Sequence, residues 1–252
     1  MTNNYTYFVA NWKMFGLNSS LKIIKKVISY LKKSKNKKNK VIFCVPYTLL
    51  NSFSKKVKSS NVSLGAQNCH HLNDYGAYTG SVNSKMIKDA GAKYVIIGHS
   101  ENRFNGDDDN IINKKILSSL KNNLKIIFCI GETLIQKRKK ITNKILTKQI
   151  FTGLKNVNNV NNIIIAYEPV WSIGTGIIPS QKELLNNILL IKKILKKKYS
   201  KKYSKLKILY GGSVNPKNIK NLNKSYSING YLVGGASQLP NKFIDIIKKS
   251  YM

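Results

Sequence analysis

Residues 163–169 read Ile-Ile-Ile-Ala-Tyr-Glu-Pro, an uninterrupted apolar run that ends in a carboxylate and a proline. Such a run is typical of a β-strand buried on both faces, because a strand with one exposed face would alternate polar and apolar residues. Further runs rich in β-branched and aromatic residues occur at residues 5–10, 41–45, 62–65, 94–97, 126–130, 206–210 and 231–233. The sequence therefore predicts eight buried strands.

The segments between these runs have the spacing of amphipathic helices. Apolar residues recur every three or four positions with Lys or Asn between them, as at Leu21, Ile24, Val27, Ile28, Leu31, Ile188, Ile191, Ile194 and Leu195. Buried strands that alternate with helices form parallel sheets covered by helices. Eight such units without a Pro- or Gly-rich linker favour one α/β domain over residues 1–252, a single (β/α)8 barrel of eight parallel strands with outer helices. The alternative is a doubly wound open sheet.

The composition is strongly basic. The 252 residues include 44 Lys and Arg against 10 Asp and Glu, which gives a formal net charge of +34. Nucleic-acid-binding proteins concentrate such charge on one face and favour Arg, whereas Arg103 and Arg138 are the only arginines here and the lysines are spread along the chain. We interpret the charge as a general enrichment of surface lysine and predict no specific nucleic-acid partner. The alternative, a barrel that binds nucleic acid, requires affinity that falls steeply with salt.

Two lysine-rich tracts lie at residues 32–40 and 196–207. Cations are favoured near helix C-termini, because the helix dipole is negative there. We interpret both tracts as helix ends and solvated turns and assign them no function.

The cysteines indicate a reducing compartment. Cys44, Cys69 and Cys129 form neither a paired framework nor a CxxC motif, so we predict no structural zinc or other metal site. No window of 18 apolar residues is present, and the first apolar segment, at residues 5–12, begins too early for a cleaved signal peptide to precede it. We therefore expect a mature protein that begins at Met1, is cytoplasmic and does not bind membranes.

Three of the four glutamates lie at the ends of predicted strands. These are Glu101, Glu132 and Glu168, and the carboxyl ends of the strands are where parallel barrels carry their active sites. Such placement in a chain with few acidic residues favours a site over a surface role. Glu168 follows an apolar run and precedes Pro169, so partial desolvation should raise the basicity of its carboxylate and suit it to general-base catalysis. The alternative for Glu168 is a helix-start acid that complements the helix dipole.

His99 and Lys13 follow two other predicted strands. A histidine in this position is commonly a packing or capping residue. A backbone amide at the start of the next helix would instead keep the His99 imidazole neutral and leave an N–H that polarises a carbonyl. Lys13 would supply fixed positive charge for an oxyanion, although one lysine in so lysine-rich a chain does not identify a site.

Glycines follow the last two predicted strands. Gly211-Gly212-Ser213 and Gly234-Gly235 place exposed backbone N–H groups where barrels often bind phosphate. Gly174 and Gly176 lie in an apolar loop between two prolines, and an apolar loop is expected to close over something. Together these glycines predict a phosphate pocket with a lid.

Several ordered motifs resemble those of the triosephosphate isomerase family over nearly the full chain. They are Asn-Trp-Lys-Met at 11–14, Gly-Ala-Gln-Asn at 65–68, Ile-Gly-His-Ser-Glu at 97–101, AYEPVWSIGTG at 166–176, YGGSVN at 210–215 and LVGGAS at 232–237. The resemblance implies a homodimeric barrel enzyme of glycolysis and gluconeogenesis. It would interconvert dihydroxyacetone phosphate and D-glyceraldehyde 3-phosphate through an enediolate, by proton transfer, without metal or organic cofactor.

The resemblance also implies roles for individual residues. Glu168 would abstract the carbon-bound proton, His99 would move protons among the oxygens, and Lys13 with Asn11 would stabilise the enediolate. Phosphate would be held by Gly174, Ser213, Gly234 and Gly235. Supporting residues behind these groups would be Glu101, which orients Lys13, and Ser100, Cys129 and Tyr210. The lid would consist of Pro169, Val170, Trp171, Ser172, Ile173, Gly174, Thr175 and Gly176. The loop of residues 68–80, with Gln67, Tyr75 and Thr79, would reach the partner subunit.

The chain departs from the family pattern at four places. Asn102-Arg103 stands where two arginines are usual, and the stretch before Gly106-Asp107 is one residue short. Ile177 and Ile178 replace a basic residue at the end of the lid. Residues 227–230 and Lys192 lack the usual acidic and arginine residues, so we expect one ion pair to be missing. Another phosphosugar barrel enzyme is a further alternative, but it would not need Lys13, His99 and Glu168 in this order.

Overall fold

Eight parallel strands close into a barrel in which each strand pairs with its neighbours in chain order. The computed structural model describes residues 5–223 and 228–251. The strands are β1 (Thr6–Asn11), β2 (Asn39–Cys44), β3 (Val62–Ala66), β4 (Tyr94–Ile97), β5 (Lys125–Ile130), β6 (Ile163–Tyr167), β7 (Lys207–Tyr210) and β8 (Gly230–Val233). Within the described residues, the helices are α1 (Leu21–Lys33), α2 (Tyr47–Val57), α3 (Ser84–Asp89), α4 (Ser100–Phe104), α5 (Asp109–Lys121), α6 (Leu134–Arg138), α7 (Thr142–Gly153), α8 (Gln181–Tyr199), α9 (Ile219–Asn223) and α10 (Pro240–Lys249).

Both faces of the strands are buried. Alternate side chains such as Val9, Ile42 and Ile127 fill the barrel interior. Side chains of the opposite parity, such as Phe8 and Phe43, pack with the surrounding helices in a larger apolar cluster. This double burial explains why the strand sequences are continuously apolar rather than alternating.

The predicted (β/α)8 barrel is confirmed. The open, doubly wound sheet is wrong, because β8 pairs with β1 and leaves no edge strand. Each predicted run forms a strand, with bounds that differ by one or two residues at some ends. The interpretation of the two lysine tracts fails at Lys40 and Lys207, which lie in β2 and β7. Lys40 is drawn into the sheet because its backbone pairs with Tyr7 of β1.

Polar side chains cap the starts of α5 and α8. The Asp108 carboxylate accepts hydrogen bonds from two backbone N–H groups at the start of α5, and the Ser180 hydroxyl accepts one from Glu183 at the start of α8. Lysines occupy the last turns of α1 and α8, where the helix dipole favours cations. Among the described residues, no helix has both the length and the apolar character needed to cross a membrane.

The closure of the barrel depends on a glycine at the start of β8. Gly230 has a φ of +149°, and a Cβ added there would overlap the backbone oxygen of Tyr7 and lie 2.6 Å from its nitrogen. These backbone atoms belong to the β1–β8 ladder, so they cannot move aside without disturbing the pairing. Only glycine permits this close approach.

We expect Gly230→Ala to lower the free energy of unfolding by about 3 kcal/mol or more, because the overlap with Tyr7 adds to the cost of the positive φ. Chemical denaturation at fixed protein concentration, followed by circular dichroism, measures the loss. Gly106→Ala is the matched control, because Gly106 has a φ of +106° but no atom within 4 Å of an added Cβ. The control should lose only about 1 kcal/mol. Equal losses in both variants would show that the overlap contributes nothing.

Candidate active site

Lys13, His99 and Glu168 lie in one cavity at the carboxyl ends of β1, β4 and β6. The cavity has a volume of about 240 Å³, and Asn11 and the glycine-rich turns after β7 and β8 form its other walls. Residues far apart in the chain meet here because the carboxyl ends of parallel strands share one rim. The structure therefore brings together the three side chains that the sequence singled out.

The Glu168 carboxyl group is enclosed by the protein. Its side chain is 3% exposed, and an added Cβ at Gly211 would lie 2.7 Å from Glu168 Cγ, so the glycine leaves room for it. Burial raises the pKa of Glu168, and the neighbouring His99 and Lys13 oppose that rise. A carboxylate whose pKa is raised is a stronger base, which suits it to abstract a proton from carbon.

His99 is the N-cap of α4. Its Nδ1 accepts a hydrogen bond from the backbone N–H of Glu101 at 3.2 Å. In a neutral imidazole, an accepting Nδ1 leaves the ring proton on Nε2. Nε2 lies 3.6 Å from Glu168 Oε1. The capping and chemical interpretations of His99 are thus compatible, since capping through one nitrogen directs the other toward the cavity.

Lys13 has a strained backbone, with a φ of +56° that residues with side chains rarely adopt. Asn11 Oδ1 accepts a hydrogen bond from the Lys13 N–H at 3.1 Å and stabilises the turn. Lys13 Nζ donates to Glu101 Oε1 at 2.6 Å. The turn and the carboxylate hold the amine at the cavity wall, and nothing in the sequence indicated the strain.

Backbone N–H groups border the cavity after β7 and β8. Gly234 and Gly235 lie at the start of a short 3-10 helix (Gly235–Gln238), and within the described residues their N–H groups have no backbone acceptor. Ser213 and Gly174 line the same cavity. Free donors that converge beside Lys13 suit a phosphate group.

Behind Glu168, the Cys129 thiol and the backbone N–H of Ser100 face the carboxylate and lower its pKa against the effect of burial. Cys129 is buried and free, and the same burial raises the pKa of its thiol. The thiol therefore stays protonated, and it donates to the Ile127 carbonyl at 4.0 Å.

The loop of residues 169–179 borders the cavity through Ile173 and Gly174. Within it, Ser172 Oγ donates to the Ile177 carbonyl at 2.6 Å and lies 3.0 Å from the Tyr210 hydroxyl. Gly174 and Gly176 have φ values of +72° and +79° in open space, and Thr175 Oγ1 bonds within the loop to the Trp171 carbonyl at 3.2 Å. Pro169 and Val170 begin the loop with a 3-10 turn (Val170–Ser172). The loop thus has polar anchors at its base and glycines at its tip.

A buried carboxylate anchors the base of this loop. Trp171 Nε1 donates to Glu132 Oε1 at 2.9 Å, and the Tyr167 hydroxyl lies 3.2 Å from both Glu132 oxygens. Lys137 Nζ lies 3.5 Å from the centre of the Trp171 ring. Glu132, which the sequence placed at a strand end, therefore holds the loop rather than lining the cavity.

The sequence did not indicate Gln149, Asn187 or Lys137. The Gln149 amide donates to the Gly131 carbonyl at 3.0 Å and accepts from its N–H at 2.9 Å, which fixes the turn after β5. Asn187 donates to the Tyr167 hydroxyl at 2.8 Å. Of these three residues, only Gln149 could have been noticed in the sequence. It is a polar residue next to Ile150, on the part of α7 that is buried.

The single arginine after Glu101 makes several bonds. Arg103 pairs with Asp109 at 2.6 Å, and it donates to the carbonyls of Gly98 at 2.8 Å and Cys129 at 3.2 Å. One arginine thus joins α4, α5 and the ends of β4 and β5, despite the missing second arginine.

The other departures lie away from the cavity that holds Glu168. Lys192 and Asn229 line a cavity of about 260 Å³, and within the described residues Lys192 forms no ion pair. Asn229 Oδ1 instead accepts a hydrogen bond from the Ile208 N–H at 2.9 Å. Ile177, at the end of the loop, is exposed. Ser227 lies outside the described residues.

A larger cavity of about 870 Å³ opens beside the site, and Met14, Leu17 and Gln67 are among its lining residues. Met14 and Leu17 are 101% and 74% exposed, and Tyr75 in the loop of residues 68–80 is 72% exposed. Thr79 of the same loop is also exposed. Large apolar side chains with this exposure indicate an interaction surface.

Comparison with known proteins gives one consistent result. The sequence model of the family "Triosephosphate isomerase" matches residues 6–250. The triosephosphate isomerase of Thermodesulfovibrio yellowstonii is 41% identical over 248 residues, which cover 96% of this chain and 98% of that protein. That of Dictyoglomus thermophilum is 41% identical over 243 residues, 95% of this chain and 97% of that protein. The crystal structure of triosephosphate isomerase from Bartonella henselae superposes with a TM-score of 0.89 at 33% identity and covers 98% of this chain and 99% of that one. The chain belongs to the triosephosphate isomerase family.

Proposed function

We propose that the cavity interconverts dihydroxyacetone phosphate and D-glyceraldehyde 3-phosphate, with Glu168 as base, His99 as proton donor and Lys13 as the stabilising cation. Family membership makes the chain an isomerase of these triose phosphates. The residue roles rest on the geometry of the cavity. The observation that carries the proposal is the meeting of a buried carboxylate, an imidazole N–H and an amine at one wall of a cavity of about 240 Å³.

The first step is removal of a proton from C1 of dihydroxyacetone phosphate by Glu168. The C–H electron pair becomes the C1–C2 double bond, and the carbonyl electrons move to O2. Because burial raises the pKa of Glu168, its carboxylate is a better base than an exposed glutamate. The carboxyl group then returns the proton to C2, which completes the isomerisation.

The enediolate between these steps requires stabilisation of its oxygens. The His99 Nε2–H, 3.6 Å from the base, would donate to O2 and take a proton from O1. Lys13 adds a fixed positive charge beside the developing oxyanion, in a cavity where such charge is weakly screened. Glu101 holds the Lys13 amine at 2.6 Å and so positions that charge.

The phosphate group would occupy the glycine-rich side of the cavity. The N–H groups of Gly234 and Gly235 have no backbone acceptor among the described residues, and Ser213 and Gly174 line the same wall. A phosphate held there fixes the reacting carbons relative to Glu168. The 169–179 loop would close over it and exclude water while the enediolate exists.

We expect Glu168→Asp to lower kcat by at least about 100-fold with little change in KM, because the shorter side chain withdraws the carboxylate from the proton while the phosphate contacts remain. A coupled assay with glyceraldehyde 3-phosphate on the purified wild-type and variant proteins measures both constants.

Glu183→Asp is the matched control, because Glu183 is half-buried outside the cavity and pairs with Lys137 at 2.6 Å. Its kcat should stay within a few-fold of the wild type. A Glu168→Asp variant with wild-type turnover would contradict the assigned base, and a wild type that does not convert the substrate would contradict the proposed activity.

A second expectation concerns stability. Burial raises the pKa of Glu168, so the folded protein holds this proton more tightly than the unfolded chain. The tighter binding of this proton stabilises the folded protein at low pH. That stabilisation is lost as pH rises from the ordinary carboxyl pKa of about 4.3 to the raised pKa of Glu168. We expect Glu168→Gln to unfold with a higher free energy than the wild type at pH 7, and this gain should disappear below about pH 4. Denaturation between pH 4 and 8 tests this, and a wild type more stable than the variant at pH 7 would refute it.

We further propose a homodimer in which the loop of residues 68–80 enters the large cavity of a second copy. Two features of the chain support this: the exposed Met14 and Leu17 beside that cavity and the exposed Tyr75 on the loop. Pairing would bury all three side chains. It would also place Thr79 near the Lys13 end of the partner's site.

We expect Thr79→Asp to weaken the dimer at least about tenfold, because a charge would be desolvated in the partner's cavity. Sedimentation equilibrium measures the dissociation constant, and activity per chain should fall on dilution. Asn143→Asp, on the exposed side of α7, is the control and should not change either value. A wild type that is monomeric at micromolar concentration would exclude the dimer.

Finally, we propose that the protein is cytoplasmic. Cys44, Cys69 and Cys129 are buried and free, which suits a reducing compartment.

A further inference from the structure

The end of the barrel opposite the active site has an unusual lining. Lys40 and Lys125 share strand parity with Ile42 and Ile127, which fill the barrel interior, so both lysines point into its amino-terminal mouth. Tyr7 pairs with Lys40 in the ladder. We call this opening, formed by Tyr7, Lys40, Ser63, Tyr94 and Lys125, the amino-terminal mouth. Lys93 is exposed and precedes β4 with the outward parity of Val95, so it lies near the mouth but does not line it.

The lysines of the mouth repel one another. Burial, and after it the charges of Lys125 and Lys93, lower the pKa of Lys40. Lys198 is the other described lysine with a lowered pKa, and there burial alone is the cause. Lys40 is therefore the one described lysine whose pKa is lowered in part by neighbouring like charges.

No carboxylate in the described ranges compensates this charge. In the described part of the chain, the amines of Lys40, Lys93 and Lys125 form neither an ion pair nor a hydrogen bond. Residues 1–4 and 224–227 contain no Asp or Glu. Clustered ammonium groups without a counter-charge raise the free energy of the folded state, and an anion bound among them would lower it.

Hydroxyl donors lie beside the amines. Tyr94 is 3% exposed and Ser63 is 9% exposed, and within the described residues neither hydroxyl forms a hydrogen bond. Neither oxygen is among the described buried polar atoms that lack a partner, so both hydroxyls are open to solvent at the mouth. Ser63 shares strand parity with Gly65, whose added Cβ would contact Tyr94, so it faces the barrel interior. Burial raises the pKa of Tyr94 and of Tyr7, which keeps both phenols protonated as donors.

A cation–π contact orders one of the amines. Lys125 Nζ lies 5.7 Å from the centre of the Tyr94 ring, and these two residues are partners in the β4–β5 ladder. The contact fixes the amine above a buried ring. Lys40 and Lys125 are thus held on strands whose inward-facing side chains surround the mouth, with Lys40 half-buried and Lys125 exposed.

We propose that the amino-terminal mouth binds a phosphate-type anion, with the amines of Lys40 and Lys125 and the hydroxyls of Tyr94 and Tyr7 as donors. Ammonium groups bind phosphate as point charges, and several phosphate oxygens can accept from separate donors at once. The inward position of Lys40 favours a compact group over a polymer laid across the surface. The anion is inorganic phosphate or the phosphate chain of a larger solute, such as a nucleoside triphosphate.

This site is separate from catalysis. The active site lies at the other ends of the same strands, roughly 15 Å away at about 3.3 Å per residue. A bound anion would stabilise the barrel without occupying the substrate's phosphate position.

Isothermal titration with inorganic phosphate, tripolyphosphate and a nucleoside triphosphate tests the proposal at constant ionic strength. The substrate's phosphate site is first filled with the enediolate mimic phosphoglycolohydroxamate. We expect at least one of the three anions to bind the wild type with one equivalent per chain. Lys40→Gln with Lys125→Gln should weaken that binding at least tenfold and should remove the rise in thermal midpoint that the anion causes. The anion with the lowest dissociation constant shows whether the mouth binds inorganic phosphate or the phosphate chain of a larger solute.

The matched control is Lys26→Gln with Lys144→Gln, which removes the same charge from exposed helix positions. Its binding should stay within twofold of the wild type, and both double variants should retain wild-type turnover. Equal weakening in the two double variants would assign binding to the general +34 charge and overturn the proposal. Absence of saturable binding in the wild type would overturn it as well, and that result would leave the isomerase activity untouched.

Discussion

The structure depends on a carboxylate kept out of water. Glu168 is 3% exposed, and burial raises its pKa. Such a group is stable in the fold only because donors and cations face it: the His99 imidazole, the Lys13 amine, the Cys129 thiol and the Ser100 N–H. These groups come from the carboxyl ends of β1, β4 and β5. A closed parallel barrel places them together, because its strands end at one rim. The glycine at Gly211 removes the side chain that would otherwise occupy the space of the carboxylate.

The same rim connects Glu168 to the loop of residues 169–179, which borders its cavity. Glu132, at the end of β5, accepts the Trp171 indole N–H, and Ser172 meets the Tyr210 hydroxyl at the end of β7. The anchoring hydrogen bonds are 2.9 and 3.0 Å long, whereas a Cβ added to either glycine of the loop tip would meet no atom within 4 Å. The base of the loop is therefore anchored by side chains, and its tip projects into open space. This arrangement is what a cover over a reactive intermediate requires.

The lysines of the chain lie in different electrostatic surroundings. Most lysines end helices or lie on their exposed faces, where the helix dipole and solvent favour them. Lys13 and Lys40 differ, because the barrel turns them toward its two opposite openings. At one opening Glu101 balances the amine, and at the other no carboxylate of the described residues does. Lys13 thus lies beside a negative charge, whereas Lys40 lies beside positive charges at the other end of the same barrel.

The sequence determined the eight strands, the class of the fold, and the identity of the residues at the strand ends, because continuous apolar runs and local motifs are short-range features. It did not reveal that Lys40 points into the barrel, that Gln149 fixes the turn at Gly131, or that Lys13 has a positive φ. It also could not place Glu132 behind the covering loop instead of in the cavity. These features arise from contacts between residues distant in the chain. Only closure of the barrel sets those distances, through strand parity, register and the space that Gly211 and Gly230 leave open.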